Sequence, residues 1–214
     1  MADTYLTADE LKATLDIDGS EMDADIQRAL DTAARALEKA CSRRGLRRFW
    51  ADTAPVERLY TAGDSDLLEI HDAYDITLVE SDDDGDGVYE RVWDTTEYLP
   101  VPLNAALDGE PYTAIRWRPT NPASTPHRGF PVARLAAVRV TAKYGWPAVP
   151  SFAATVVGLI AARLAKRSRE APFAVIGFGV DSAAALHIAK TDPDVAGLIH
   201  DYVRDASARS IRLG

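Results

Sequence analysis

The residues of this chain with the clearest capacity for chemistry are Asp82, Asp84 and Asp86, followed by Gly87 and Glu90. Carboxylates at positions one, three and five with glycine at six match the first half of a calcium loop, in which hard oxygen donors surround a hard cation. Glu90 stands at position nine, where a ligand can act through water. Position twelve, which needs a bidentate glutamate, is Trp93, and the flanks read as strands, which excludes an EF-hand. The same residues also suit an acidic hairpin turn, with Asp and Gly selected for backbone geometry. Both readings stay open, a Ca²⁺-binding accessory protein being the alternative function.

Other motifs carry less. Phe173 to Ser182 has the look of the strand and first glycines of a dinucleotide fold, but Ser182 stands where a third Gly or Ala is needed. Too few residues follow to build the remaining strand–helix units, so no cofactor is expected. A glycine-hinged apolar arm is expected instead. His71, His127, His187 and His200 show no metal-ligand spacing, no serine lies in a nucleophile elbow, and the lone Cys41 sits on a helical apolar stripe. No catalytic or metal-ligating set is assigned, and the chain is not expected to be an enzyme. Arg43, Arg44, Arg47 and Arg48 beside Phe49 and Trp50 form a basic aromatic cluster. A protein partner with an acidic surface fits it better than DNA, since a helix end also favours cations.

The elements that position these residues follow from hydrophobic period. Thr7 and Glu10 have capping-box spacing, predicting a helix to about Leu15 that the Asp18-Gly19 turn ends. Met22, Ile26, Ala29, Leu30, Ala33, Leu37, Ala40 and Cys41 mark an amphipathic helix stopped by Gly45. Strands are predicted at 56–60, 67–70, 76–79, 88–93, 112–117 and 135–140, with a proline-rich loop at 119–126. A helix over 150–168 is apolar all round in its first half and must be covered on most sides; its second half is basic. A strand at 184–188 and a helix capped by Asp192 with Pro193 at its first position complete the chain. The fold class expected is α+β. A helical bundle from the N- and C-terminal segments (1–55 and 146–214, with a C-terminal docking arm and helix) carries an inserted small antiparallel β-module (56–145).

The chain has 214 residues, 47% apolar and 27% charged, with a net charge of -9. That composition argues for a soluble globular protein, and the acidity argues against a general nucleic-acid coat. The longest uncharged apolar stretch, Phe152 to Ala162, is too short to span a bilayer, and the start lacks a signal-peptide pattern. Charge is blocked: 61–110 hold fifteen acids and only Arg91, while 111–169 hold ten cations and no acid. Such blocks either orient docking of other copies and partners or neutralise each other within one fold.

The order of pieces resembles the head-to-tail adaptor (connector) proteins of long-tailed phages, particularly those of actinobacteria. The resemblance is carried by Tyr5-Leu6-Thr7 before a capped helix, Cys41-Ser42-Arg43 after the second, and Val140-Thr141-Ala142-Lys143-Tyr144-Gly145-Trp146-Pro147-Ala148-Val149-Pro150 closing the β-rich middle. It continues in Glu170-Ala171-Pro172-Phe173, Gly177-Phe178-Gly179 and Thr191-Asp192-Pro193-Asp194-Val195, and is strongest over 134–204. It implies a ring, commonly of twelve subunits, between the capsid portal protein and the stopper or tail-completion protein. Genomic DNA passes through that ring without specific binding, and no membrane is involved. The protein would then reside in the virion at the head–tail interface. The acidic hairpin departs from the simplest all-helical members of that family. Phe173, Val175, Ile176, Phe178, Tyr202 and Val203 are the residues expected at a protein interface.

Overall fold

The computed structural model describes residues 5–42, 47–119, 129–170 and 178–203, without side-chain detail at 168–170 and 178–181. The described residues divide into two compact units, one drawn from residues up to Phe49 and from Val149 to Val203, the other spanning Trp50–Ala148.

The helical unit begins with α1 (Ala8–Leu15), whose capping box is formed: the Glu10 N–H donates to Thr7 Oγ1 and the Thr7 N–H to Glu10 Oε2. Asp16, in the left-handed region at φ 53°, closes it. α2 (Asp23–Ala40) buries Ile26, Ala29, Leu30, Ala33, Ala36 and Leu37, the stripe its period predicts. The longest described helix, α4 (Ser151–Glu170), packs along α2 and also meets α1 and the two helices that follow it, which covers the all-apolar half as expected. Its buried Phe152, Val156 and Ile160 are each worth roughly 1.5–3 kcal/mol of transfer free energy. α5 (Phe178–Thr191) replaces the strand expected at 184–188. The run is alanine-rich, a helix former, and Ala185 and Ala189, one helical turn apart, are both buried. α6 (Pro193–Ile199) starts on the Asp192 cap, whose carboxylate accepts the Asp194 N–H. The Arg163 guanidinium beside Asp192 holds that carboxyl below its usual range.

Polar and aromatic contacts tie the ends of this unit together. Tyr5 donates its hydroxyl hydrogen to the buried Glu38 at 3.1 Å and accepts the Phe49 N–H at 3.1 Å. Burial raises the Glu38 carboxyl, against the opposing pull of the Tyr5 hydrogen bond and of Arg35 and Arg48. Cys41 is fully buried and its thiol is pushed up to about 12 by burial, the inert structural thiol its position on the stripe implies.

The second unit corrects the expected architecture. It is a six-stranded antiparallel sheet and the dominant core of the molecule, not a small insert carried by a helical bundle. β1 (Val56–Tyr60), β2 (Leu67–Ser81), β3 (Arg91–Val92), β4 (Tyr98–Val101), β5 (Tyr112–Trp117) and β6 (Val138–Tyr144) run in the order β1-β6-β2-β5-β4, with β3 added on β2. The physical reason lies in β2. The two short strands expected at 67–70 and 76–79 are one strand of 15 residues, bent by register shifts. Its first half pairs with β5, its second with β6 and β3. One strand thereby gathers Leu68, Ile70, Val79, Trp93, Ile115, Phe130, Val138 and Val140 into a single apolar cluster. β4 contains Pro100, which hid it in the sequence; the four-residue helix α3 (Ala105–Asp108) follows it. β6 starts at Val138, later than expected, because Ala133 and Ala136 adopt left-handed φ of 61° and 56°. Most of the 119–126 loop, and Gly45, lie outside the described residues.

Gly145 follows β6 at φ +104°, and its N–H donates to the Asp72 carbonyl at 2.7 Å. A Cβ there would lie 1.8 Å from the Trp50 carbonyl oxygen, so both conformation and space demand glycine. Gly145→Ala is expected to cost about 3 kcal/mol or more, lowering the melting temperature by roughly 6–12 °C. An unchanged melting curve would show that Trp50 can move aside.

Candidate functional site

The acidic turn is built from its base upward. Where β2 ends, the Asp82 N–H donates to the Ala137 carbonyl at 2.9 Å, anchoring the turn to the segment before β6. Asp82, a residue only 6% exposed, accepts the Gly85 and Gly87 N–H groups on its carboxylate at 2.5 and 2.9 Å. Both glycines have φ near +90°, a backbone that folds the turn around that carboxylate. Asp84 accepts the Asp86 N–H, Asp86 the Val88 N–H and Glu90 the Asp83 N–H. One oxygen from each of Asp82, Asp84, Asp86 and Glu90 lies within 4.8 Å of the others.

The intervening carboxylate is turned elsewhere. Asp83 accepts the Ser81 hydroxyl at 2.7 Å and faces Arg91 at 3.9 Å. Arg91 also meets Glu97 at 3.3 Å and lies 3.9 Å from the Trp93 ring centroid. Trp93 stacks on Phe130 and donates its indole N–H to Ser81, so position twelve of the loop belongs to the core. Arg134 donates to the Asp83 carbonyl and the Tyr89 hydroxyl to the Ala136 carbonyl, bracing the turn from the 131–137 segment. Burial by itself would raise the Asp82 carboxyl. The backbone N–H groups of Gly85, Gly87 and Asp86, with Arg134 nearby, outweigh it and hold the group below the usual carboxylate range.

Chemically, this is an all-oxygen cluster without nitrogen or sulfur donors. Oxygens held 2.3–2.6 Å from a common centre span about 5 Å across it, so the observed spread matches a Ca²⁺ shell that carbonyls and water would complete. Proximity of Asp82, Asp84 and Asp86 was legible from their alternation. Glu90, expected at position nine, is held inward by the Asp83 N–H, while the diversion of the Asp83 carboxylate rests on Ser81 and Arg91, a role the sequence reading did not assign them.

The expected interface residues are placed separately. Phe173, Val175 and Ile176 lie outside the described residues, and Phe178 opens the backbone of α5. Tyr202 stacks on Phe152, ring centroids 3.6 Å apart, within its own unit, while Val203 is exposed. Leu198, expected on the apolar stripe of α6, is also exposed. Apolar surface appears where it was not sought: Leu103 is 57% exposed, Leu107 86% and Leu135 91%. Leu107 on α3 and Leu103 in the turn before it flank the buried Ala105, and only the packing shows that both face out. In the helical unit, a groove of about 620 Å³ is lined by Leu15, Ile17, Met22, Ala162 and Ala165, with Arg163 and Lys166 at its rim.

The charge blocks meet inside the sheet unit: Arg139 pairs with Glu80 at 2.7 Å and Lys143 with Asp75 at 3.2 Å across the β2–β6 ladder. No helix among the described residues is long and apolar enough to cross a membrane. Comparison with known proteins finds no matching family model and no matching curated protein.

Because the Asp82 carboxyl is held below its ordinary 3.8, its stabilisation of the turn is complete above that value and is lost as pH falls through the lower folded one. Asp82→Asn should therefore melt below the wild-type chain near neutral pH, and the gap should close below about pH 4. A gap independent of pH in parallel thermal melts would remove the ionised carboxylate from the account.

Proposed function

We propose that this chain is a structural virion protein that forms a ring, commonly of twelve subunits in the family it resembles. The ring joins the capsid portal to the stopper or tail-completion protein, at the virion's head–tail interface. Genomic DNA passes through without specific binding, and the chain works as a connector rather than as an enzyme. The observation that carries the reading is the apolar surface the single chain leaves uncovered. Leu103, Leu107 and Leu135 stand outside a core that is already closed, as residues of a buried interface do in an isolated subunit. Two further features support it. The order of sequence motifs resembles that of the adaptor family along most of the chain. The acids of 61–110, gathered in the sheet unit, suit a channel wall on which DNA slides, since phosphates bind where cations are in excess. The C-terminal helix, with the 173–178 arm before it, is the element assigned to the portal.

The decisive experiment mixes the purified protein with the portal ring encoded in the same genome and images the mixture by electron microscopy. A second ring with rotational symmetry stacked on the portal is expected. An intact portal that remains bare would overturn the reading.

A second reading is favoured by one observation, the four convergent carboxylates of the acidic turn: an accessory protein that binds Ca²⁺ there. Ca²⁺ at a hundredfold excess over its dissociation constant would stabilise the fold by about 2.7 kcal/mol, raising the melting temperature by roughly 5–10 °C. Under this reading Mg²⁺ gives a smaller rise, and Asp84→Asn with Asp86→Asn abolishes the Ca²⁺ effect. Identical melting with Ca²⁺ and with chelator would dismiss it.

A further inference from the structure

Leu135 is the most exposed large apolar residue among those described, and the backbone on both sides of it is strained. Ala133 and Ala136 hold left-handed φ of 61° and 56°, which a residue with a side chain keeps only when its surroundings enforce it. The enforcing contacts are present. The Ala133 N–H donates to the Ala62 carbonyl and the Ala136 N–H to Thr61 Oγ1. The Ala136 carbonyl accepts the Tyr89 hydroxyl, the Ala137 carbonyl accepts the Asp82 N–H, and Arg134 donates to the Asp83 carbonyl. A leucine left almost wholly in solvent is thus held rigidly on a segment bonded to the acidic turn. In that turn four carboxylates converge, and those of Asp84, Asp86 and Glu90 are exposed.

The helical unit carries the opposite shape and the opposite charge. Its groove of about 620 Å³ is walled by Leu15, Ile17 and Met22 at the α1–α2 corner and by Ala162 of α4, all half-buried. The charged residues that line it, Arg163 and Lys166, are both cations, and the exposed Arg167 follows on α4. We propose that Leu135 of one copy of this chain seats in the groove of the next, its acidic turn against the basic stretch of α4. The inference rests on the reading that copies of this chain associate, and it names the surfaces that meet. A second copy is the occupant because knob and groove, acid and base, stand on one sequence and complement each other. The two patches differ, so the contact runs head to tail. Each added copy leaves one knob and one groove open until the series closes, as a ring requires.

Two full-length variants carrying different tags test the contact: Leu135→Cys, and Ala162→Cys in the groove. The native Cys41 is buried, and the unsubstituted chain serves as the blank. On mild oxidation the mixture should give a disulfide between the two tagged chains. The yield should be about tenfold or more above that of Leu135→Cys mixed with Asp31→Cys, which is exposed on α2 outside the groove. Met22→Cys should behave as Ala162→Cys does, so a folding defect in one groove variant does not decide the outcome. Lys166→Glu beside Ala162→Cys should cut the yield about fivefold or more, and Asp84→Lys on the Leu135→Cys chain should restore it. Equal bridging at positions 162 and 31, or none at 162 and 22, overturns the inference; the second result includes a groove filled by another part of its own chain. Bridging found only within a chain that carries both Leu135→Cys and Ala162→Cys also overturns it. A portal crowned by a second ring whose copies do not bridge leaves the ring reading standing without this contact. Bridged copies beside a bare portal give the converse.

Discussion

A strand of fifteen residues with partners on both sides has to bend, and most of the sheet unit follows from how β2 does so. Register shifts between Glu69 and Ala73, and again between Ile76 and Leu78, let its first half pair with β5 and its second half with β6. The bend brings strands distant in sequence around one apolar cluster, with Trp93 stacked on Phe130 at its centre. It also sets where β2 ends and the acidic turn begins. Gly145 closes the other end of the arrangement, where the Trp50 carbonyl occupies the space a side chain would need.

The same geometry settles the electrostatics of an unusually segregated chain. Antiparallel pairing of β2 with β6 lays part of the acidic block beside part of the basic one, so Glu80 meets Arg139 and Asp75 meets Lys143. Arg91, the single cation of 61–110, is held between Asp83, Glu97 and the Trp93 ring. In the acidic turn, backbone N–H groups rather than cations do most of the stabilising of the carboxylates. That arrangement leaves negative charge outward, which suits either a surface over which DNA slides or a site for a hard cation.

In the helical unit the organising contact is α2 along α4, both rich in alanine, with α1, α5 and α6 packed around them. Aromatic contacts then fix both ends of the unit: Tyr5 to Phe49, Phe49 to Phe152 and Phe152 to Tyr202. Tyr202 thus has a structural partner within its own chain. The exposed leucines, by contrast, belong to the sheet unit: Leu107 on α3, Leu103 in the turn before it and Leu135 on the segment before β6. An adaptor reading draws on both: a braced helical unit and a sheet unit with apolar residues outside a finished core.

Helices α1, α2, α4 and α6 were legible in the sequence because their signals are local: a capping box, a 3.6-residue stripe, an aspartate cap before proline. The convergence of Asp82, Asp84 and Asp86 was legible for the same reason, since alternation and nearby glycines suffice to bring them together. The single long β2, the Pro100-containing β4 and the helical α5 were not, because strand pairing and burial of Ala185 and Ala189 depend on partners remote in sequence. The size of the sheet core was missed on the same ground: local windows show strands but not how many share one apolar cluster. Which leucines face out, which aspartate of 82–86 leaves the cluster and which cations the acidic block keeps are likewise decided by tertiary contacts. The residue types and their order set the local elements, and the pairing of β2 with its neighbours decided what those elements enclose.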